Sequence, residues 1–276
     1  MLHMAKPVAK IQFKQVVPGF LEVIPVVYIT NNALLRSHKD SIRSLAFSIS
    51  KLIDAFQPVV NKLPKEIQVD CDWTLQTKEK YFALLNTLKN HFGNKLIVSA
   101  TIRLHQVKYA TTTGIPPVQK GMLMYYNMGN IQRLQSNSVF NETDAANYAP
   151  YIKQYPLRLD AALPVFSWIK VIRNRKIMQL MNTVPFQEMM QSGLFEQLNE
   201  NSLRPSHICH FKGIAFLPTD ILVAEKMSPE LSKKAARHLH AYFNELNFTL
   251  ALFHLNQSNL NEYTIQDIEN IYAVFN

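Results

Sequence analysis

Two carboxylates and an indole follow a short apolar run near residue 70. The stretch Ile67-Gln-Val-Asp-Cys-Asp-Trp-Thr74 ends in Asp-x-Asp-Trp and passes directly into an amphipathic helical pattern. Residues spaced by two on a strand point the same way, so Gln68, Asp70 and Asp72 form one polar column. Barrel enzymes build one wall of a polar site in this manner. The competing explanation is that Asp72 or Thr74 only caps the following helix.

Polar and aromatic side chains also stand at the ends of the other apolar runs. A lone histidine or arginine at a strand end is more often structural, but five strands with this property favour a functional site. Because parallel strands place their carboxyl ends at one edge, we expect these side chains to line one cleft. They are Asp70, Asp72 and Trp73; Arg103, His105 and Gln106; Tyr125, Tyr126 and Asn127; Ser167 and Trp168; and His254 and Asn256.

This mixture of side chains suits a carbohydrate. Tryptophan and tyrosine offer flat faces to sugar rings, whereas aspartate, asparagine, arginine and histidine can hydrogen-bond to hydroxyls. Glycoside hydrolysis usually requires two carboxyl groups, one of them kept protonated as the acid. The candidate catalytic residues are Asp70, Asp72, Arg103 and Glu225. The candidate substrate-binding residues are Trp73, His105, Gln106, Tyr125, Tyr126, Asn127, Trp168, His254 and Asn256.

Arg103 has a specific predicted partner. Ser99, Thr101, Arg103 and His105 form the polar column of the strand that follows the Asp-x-Asp strand. Neighbouring columns should place the guanidinium within about 6 Å of a carboxylate, where it would keep that group ionised and fix its orientation. Glu225 is the most suitable second carboxylate for a glycosidase, although it lies far along the chain.

Other chemistries have weaker support. The sequence contains no nucleophile elbow, no HExxH and no Gly-rich phosphate loop. Asp70, Asp72, His105 and His254 are a possible metal-ligand set. The segment His207-Ile-Cys-His210 is more simply a strand of a hairpin. We therefore expect neither a metal ion nor a cofactor.

The net charge of +9 raises the question of a polyanionic partner. Its densest run, Lys170 to Lys176, lacks any nucleic-acid-binding motif, so a solvated basic surface is expected there and nucleic acid is not. An acidic polysaccharide is a more suitable use of the charge. The sequence has no apolar run long enough to span a membrane, and Met1 to Lys10 has no signal-peptide core. Cys71 alternates with the two acids and should be a buried structural thiol.

Strands alternate with helices along the chain, which predicts an α/β fold with parallel pairing. The first predicted helix starts at Ser37 and is ended by Pro58 and Pro64, and the second carries Tyr81 to Phe92 and ends at Gly93. The next two are Phe186–Leu198 and Pro229–Leu246, the latter with Ser228 as its cap. The last predicted helix follows Thr264 as its cap. The predicted central strands are Val23–Ile29, the Asp-x-Asp strand, Leu96–His105, Gly121–Asn127, Leu159–Trp168 and Phe248–Asn256.

Six central strands are fewer than the eight of a closed barrel. We therefore predict one (β/α)8-type, TIM-like barrel domain over residues 1–276 that is incomplete at the N-terminus. Residues 169–226 form an insertion with a hairpin before the last strand. An open doubly wound sheet is the alternative. The first strand should lie at an open edge, which favours self-association.

Through four sequence motifs the chain resembles an uncharacterised bacterial family with a glycoside-hydrolase-like TIM barrel. They are Asp70-Cys-Asp-Trp-Thr74, Ser99-Ala-Thr-Ile-Arg-Leu-His-Gln106, Gly114-Ile-Pro-Pro117 and Gly121-Met-Leu-Met-Tyr-Tyr-Asn-Met-Gly129. The likeness extends from about Lys6 to the C-terminus and includes Ala251-Leu-Phe-His-Leu255. It implies a carbohydrate-active protein, either glycosidase-like or a non-catalytic glycan-binding or surface interaction protein. Members typically begin earlier, with a signal segment and two more strands, and are often secreted or lipid-anchored.

Overall fold

The computed structural model describes residues 7–38, 40–60, 64–133, 136–182, 184–243 and 247–276. The strands are β1 (Val26–Tyr28), β2 (Glu66–Asp70), β3 (Ile97–Arg103), β4 (Lys120–Met124), β5 (Leu159–Pro164), β6 (Trp168–Arg173), β7 (Lys176–Met181), β8 (Phe195–Asn199), β9 (Ser202–Pro205), β10 (Cys209–Phe211), β11 (Ile214–Phe216), β12 (Ile221–Glu225) and β13 (Leu250–Phe253). The helices are α1 (Asn31–Arg36), α2 (Ser41–Val60), α3 (Lys78–Phe92), α4 (Leu104–Lys108), α5 (Ala110–Thr113), α6 (Glu142–Ala146), α7 (Phe186–Gln191), α8 (Pro229–His240), α9 (Gln257–Leu260) and α10 (Ile265–Tyr272). Short 3-10 turns cover Gly93–Lys95, Ala149–Gln154 and Ala273–Phe275.

The described residues form one parallel sheet of six strands, in the order β1-β2-β3-β4-β5-β13. These are the six strands predicted from the sequence, each shorter than its apolar run. In β2 and β3 the register pairs Gln68 with Ser99 and Val69 with Ala100, so both polar columns face the same side. The first strand lies at the edge of the sheet, as predicted, because β1 precedes β2 at one end of the order.

Helix packing follows the apolar spacing of the sequence. In α2 the buried positions Ile42, Ile49 and Ile53 recur at helical intervals, and in α3 four leucine and tyrosine positions are fully buried. Helix α3 ends at Gly93, whose φ of 56° favours glycine. The sequence predicts that Ser37 starts α2, but this helix begins at Ser41. The Ser37 hydroxyl instead donates to the carbonyl of Ala33 at the end of α1.

Glycine has a packing reason at Gly121 in β4. A Cβ added there would lie 2.6 Å from Cγ1 of Ile102 and 3.1 Å from Cδ2 of Leu159. The neighbouring strands therefore require a residue without a side chain at this position.

A second sheet of five antiparallel strands has the order β7-β6-β12-β9-β8 and covers residues 168–225, one residue earlier at each end than the predicted insertion 169–226. One face buries Val171, Phe195, Leu203 and Leu222 in an apolar core, against which the hairpin of β10 and β11 also packs. The predicted helix Phe186–Leu198 is wrong in its second half. Gly193, at φ 73°, ends the helix, and the chain continues as β8.

Two predicted helix caps are confirmed. The Ser228 hydroxyl accepts from the backbone N–H of Leu231, and the Thr264 hydroxyl accepts from the N–H of Asp267. Helix α8 ends at His240, and the predicted end at Leu246 lies outside the described residues.

The chain forms two compact units. Unit 1 contains the described residues up to Leu123 together with Gln154–Asp160, and unit 2 contains Met124–Lys153 and Ala161–Asn276. Among the described residues, no helix is long and apolar enough to cross a membrane.

Candidate functional site

Asp70 ends β2 with its carboxylate largely removed from water. The Thr101 hydroxyl, on β3, donates to Oδ1 at 2.6 Å. Burial raises the pKa of Asp70 above its ordinary value of 3.8, the Thr101 hydrogen bond opposes that rise, and the charge of Asp72 adds to it. Asp70 therefore holds a proton more readily than an ordinary aspartate does.

Asp72 forms a bidentate ion pair with Arg103. The guanidinium donates from Nε to Oδ1 and from Nη2 to Oδ2, the latter at 2.8 Å. The predicted proximity of Arg103 to the acids is thus confirmed. The Asp72 side chain remains 45% exposed and that of Arg103 26%, so a ligand can reach both groups. The backbone of Arg103 is fixed as well, since its N–H donates to the buried amide oxygen of Gln106.

A buried ionic cluster lies at the amino-terminal end of the same polar columns. Lys120 Nζ contacts Glu66 at 2.7 Å and Asp160 at 2.5 Å, and the Ser99 hydroxyl donates to Glu66 at 2.5 Å. The two carboxylates raise the pKa of Lys120 against the lowering effect of burial. Sequence reasoning missed this cluster because its members come from four strands.

Tyr28 is a further residue that sequence reasoning missed. It pairs with Asp70 across β1 and β2, so the two side chains project from the same face of the sheet. The ring is 63% exposed. Burial and then the nearby charges of Asp72 and Asp70 raise the pKa of its hydroxyl. The only sequence signal was a tyrosine in alternation within an apolar run.

Trp73 is not available as a sugar platform. Its side chain is 3% exposed, and its indole N–H donates to the carbonyl of Thr113. The ring stacks on Tyr81 with centroids 5.2 Å apart. Cys71 beside it is the predicted buried thiol, and burial raises its pKa to about 12. His105 is exposed, but it lies in α4 rather than at the end of a strand.

In unit 2 the two tyrosines after β4 are buried. Tyr125 is fully buried and its hydroxyl lies 2.5 Å from Nδ1 of His238 on α8, so it contacts the helix layer. Tyr126 is 5% exposed and stacks on Phe253, with centroids 5.1 Å apart. Neither ring is open to a ligand. Asn127, the next residue, is exposed and has a φ of 53°.

The exposed aromatic surface of unit 2 lies instead around Phe166. Phe253, at the end of β13, is 42% exposed and packs on Phe166 with centroids 5.6 Å apart. Trp168 and His254 are partly exposed and contact the same ring at 5.5 Å and 5.7 Å. Asn256 Nδ2 lies 2.9 Å from Nε2 of His254. Phe253 was not among the predicted site residues, since its apolar run gives no sign of exposure.

Glu225, at the end of β12, is 4% exposed and fully engaged. Its Oε1 contacts Lys170 Nζ at 2.5 Å and accepts from the N–H of Ser138, while Oε2 accepts from the Ser138 hydroxyl and the indole of Trp168. Lys170 is completely buried, so the expectation of a solvated basic surface is wrong at this residue. Arg173, in the same run, pairs with Asp220.

A metal site finds no geometric support within the described ranges. They contain no group of three histidine, cysteine, aspartate or glutamate side chains placed to hold an ion. The two cysteines are both free and buried.

Comparison with solved structures identifies the fold. The chain is similar to the spore cortex-lytic enzyme SleL of Bacillus cereus, at 11% identity and a TM-score of 0.53, covering 92% of this chain and 60% of that one. It is also similar to a class V chitinase of Pseudomonas fluorescens, at 11% identity and a TM-score of 0.54, covering 93% of this chain and 82% of the other. A glycoside hydrolase family 18 N-acetylglucosaminidase of Paenibacillus barengoltzii matches at 11% identity and a TM-score of 0.50, over 92% and 82%.

These likenesses establish a TIM-like barrel fold, of which the described residues form six parallel strands. The predicted fold class is therefore confirmed, in preference to the alternative of an open doubly wound sheet. The chain spans 60% of the length of the SleL chain. No family model matches the sequence, and no curated protein matches it either.

Proposed function

We propose that this chain is a carbohydrate-active protein with a glycoside-hydrolase-like site at the carboxyl ends of β2 and β3. The observation that supports this most directly is the exposed, two-point pair of Arg103 and Asp72 beside the protonatable Asp70. Fixed carboxylates and a guanidinium supply several hydrogen bonds to sugar hydroxyls, and Tyr28 adds an exposed ring on the same face. The names of the three structural neighbours favour the same class of ligand.

In an enzymatic reaction Asp70 would be the proton donor. Burial favours its protonated form, whereas Asp72 is held by the guanidinium of Arg103. Two carboxylates in different environments are the usual division of labour in glycosidases. Glycosidases of family 18 are exceptions in which the substrate assists, so a single acidic group can suffice there.

A specific observation favours the alternative, a non-catalytic glycan-binding protein. Both oxygens of Asp72 and both oxygens of Glu225 are already engaged, by Arg103 and by Lys170, Ser138 and Trp168. A carboxylate paired with a cation is a poor general acid and a good fixed hydrogen-bond acceptor. Binding of a sugar therefore requires less rearrangement of the structure than its hydrolysis.

The experiment separates the two possibilities. Purified protein is titrated calorimetrically with N-acetylglucosamine hexamer and with acidic and neutral oligosaccharides, and the same mixtures are assayed for new reducing ends. Hydrolysis that is lost in Asp70→Asn supports the glycosidase. Binding without release of reducing ends supports the glycan-binding protein. Absence of both across the panel would overturn the proposed function.

A further inference from the structure

Glu225 is at the centre of a buried polar cluster in unit 2 that the proposed acid chemistry does not use. Its carboxylate receives four contacts, from Lys170 Nζ, the Ser138 N–H, the Ser138 hydroxyl and the Trp168 indole. Both members of the ion pair are almost fully buried, Lys170 at 0% and Glu225 at 4%. A buried charge pair is costly to maintain unless all of its hydrogen-bonding capacity is used. Here the remaining capacity is used on Trp168 and on the segment after β4.

The cluster fixes the segment Asn127–Val139, as far as it is described. Lys170 Nζ also donates to the carbonyl of Arg133 at 3.1 Å, and the Asn137 amide donates to the carbonyl of Lys226. Within the segment, the backbone N–H of Asn127 donates to the carbonyl of Val139, and the N–H of Gly129 donates to the carbonyl of Ser138. Gly129 approaches so closely that an added Cβ would lie 2.9 Å from Cα of Ser138. The two ends of the segment are thus held together and joined to β6 and β12.

The same carboxylate sets the orientation of Trp168. Glu225 and Trp168 are directly opposite in the β12–β6 ladder, and the indole N–H points to Oε2. The ring also meets Phe166 edge-on, at a centroid distance of 5.5 Å. Trp168 is partly exposed, so its ring is fixed at its polar edge and remains accessible to a ligand.

We propose that Glu225, together with Lys170, is a positioning residue that holds Trp168 and the described parts of the segment, residues 127–133 and 136–139, in the conformation that binds a glycan. The inference rests on the proposed function, because the sugar contacts that we assign here to Trp168 and Asn127 require that the protein binds a glycan. Glu225 itself acts through these neighbours and takes no part in proton transfer.

The test compares two ion pairs of the same sheet. Glu225→Gln/Lys170→Met removes both buried charges together, a change that is often neutral for stability, whereas Glu225→Gln alone leaves a buried ammonium unpaired. The matched control is Asp220→Asn, which disrupts the pair between Arg173 at the end of β6 and Asp220 just before β12. Affinity for N-acetylglucosamine hexamer is measured by calorimetry. The indole N–H resonance of Trp168 is followed in 1H–15N spectra and assigned with Trp168→Phe, since the chain has 2 tryptophans.

We expect the double variant to bind the hexamer about tenfold more weakly. Its Trp168 resonance should move, while the control keeps the wild-type affinity and resonance. Lys170→Arg, which keeps the charge, should retain most of the affinity. An unchanged affinity and an unmoved resonance in the folded double variant would overturn the positioning role. A wild-type protein that binds no glycan would overturn the proposed function instead, and the sugar-binding part of this inference with it.

Discussion

Arg103 and Asp72 lie at the ends of adjacent parallel strands, and the guanidinium contacts both carboxylate oxygens of the acid. This geometry follows from the strand register, since Gln68 is opposite Ser99 and each column continues by steps of two residues. The pair fixes an arginine and an aspartate in one orientation while leaving both partly exposed. Planar two-point pairing of this kind cannot be reproduced by lysine.

Arg103→Ala should weaken glycan binding at least tenfold and change the free energy of unfolding by only about 1 kcal/mol, because the ion pair is partly exposed. Calorimetric titration and urea denaturation measure the two quantities. Lys65→Ala, which removes the exposed pair with Glu22, is the control and should change neither. Equal binding by Arg103→Ala and the wild type would remove Arg103 from the site.

Asp70 should make stability depend on pH in the direction opposite to that of an ordinary paired acid. Its folded pKa is raised above the ordinary value of 3.8, so the folded state holds the proton more tightly than the unfolded state. The stabilisation is complete below the unfolded pKa and is lost as the pH rises through the folded pKa. Relative to Asp70→Asn, the free energy of unfolding of the wild type should fall as the pH rises above the ordinary pKa of 3.8. Urea denaturation of both proteins over a range of pH provides the measurement. If the free energy of unfolding of the wild type and that of Asp70→Asn change with pH in the same way, the pKa of Asp70 is not raised.

The two tryptophans should separate stability from binding. Trp73→Ala removes a ring that is 3% exposed and stacked on Tyr81, and should lower the free energy of unfolding by about 3–5 kcal/mol. Trp73→Phe should cost less, since it keeps the ring contact. Trp168→Ala should reduce glycan affinity while lowering stability by less than Trp73→Ala. A stable Trp73→Ala variant with lost binding would reverse the two roles.

The β1 edge should mediate self-association. Among the described residues, the strand that carries the 57% exposed Val26 pairs on one side only, with β2, and an unpaired apolar edge is a template for another strand. Val26→Lys should shift the protein toward monomer with a stability change of about 0.5 kcal/mol or less. Sedimentation velocity over a range of concentrations provides the measurement. A wild type that stays monomeric throughout would contradict the prediction.

The sequence could predict the strands because each apolar run is bounded by turn or helix signals, and it could predict the Arg103–Asp72 pair because period two is a local property. It could not predict Tyr28, since an apolar run does not show which face is covered. It could not assign Glu225 to Lys170, or Lys120 to Glu66 and Asp160, because those partners meet only through the sheet order. Trp73 was misassigned for a related reason, since it follows β2 and its buried ring stacks on Tyr81 of α3.

A crystal structure of the protein with bound N-acetylglucosamine hexamer tests the central claim most directly. The account predicts sugar hydroxyls within about 3 Å of Asp70, Asp72 or Arg103, in the usual hydrogen-bonding range, with a ring lying against Tyr28. An oligosaccharide bound with the Arg103–Asp72 pair untouched, at a surface away from the carboxyl ends of β2 and β3, would contradict it.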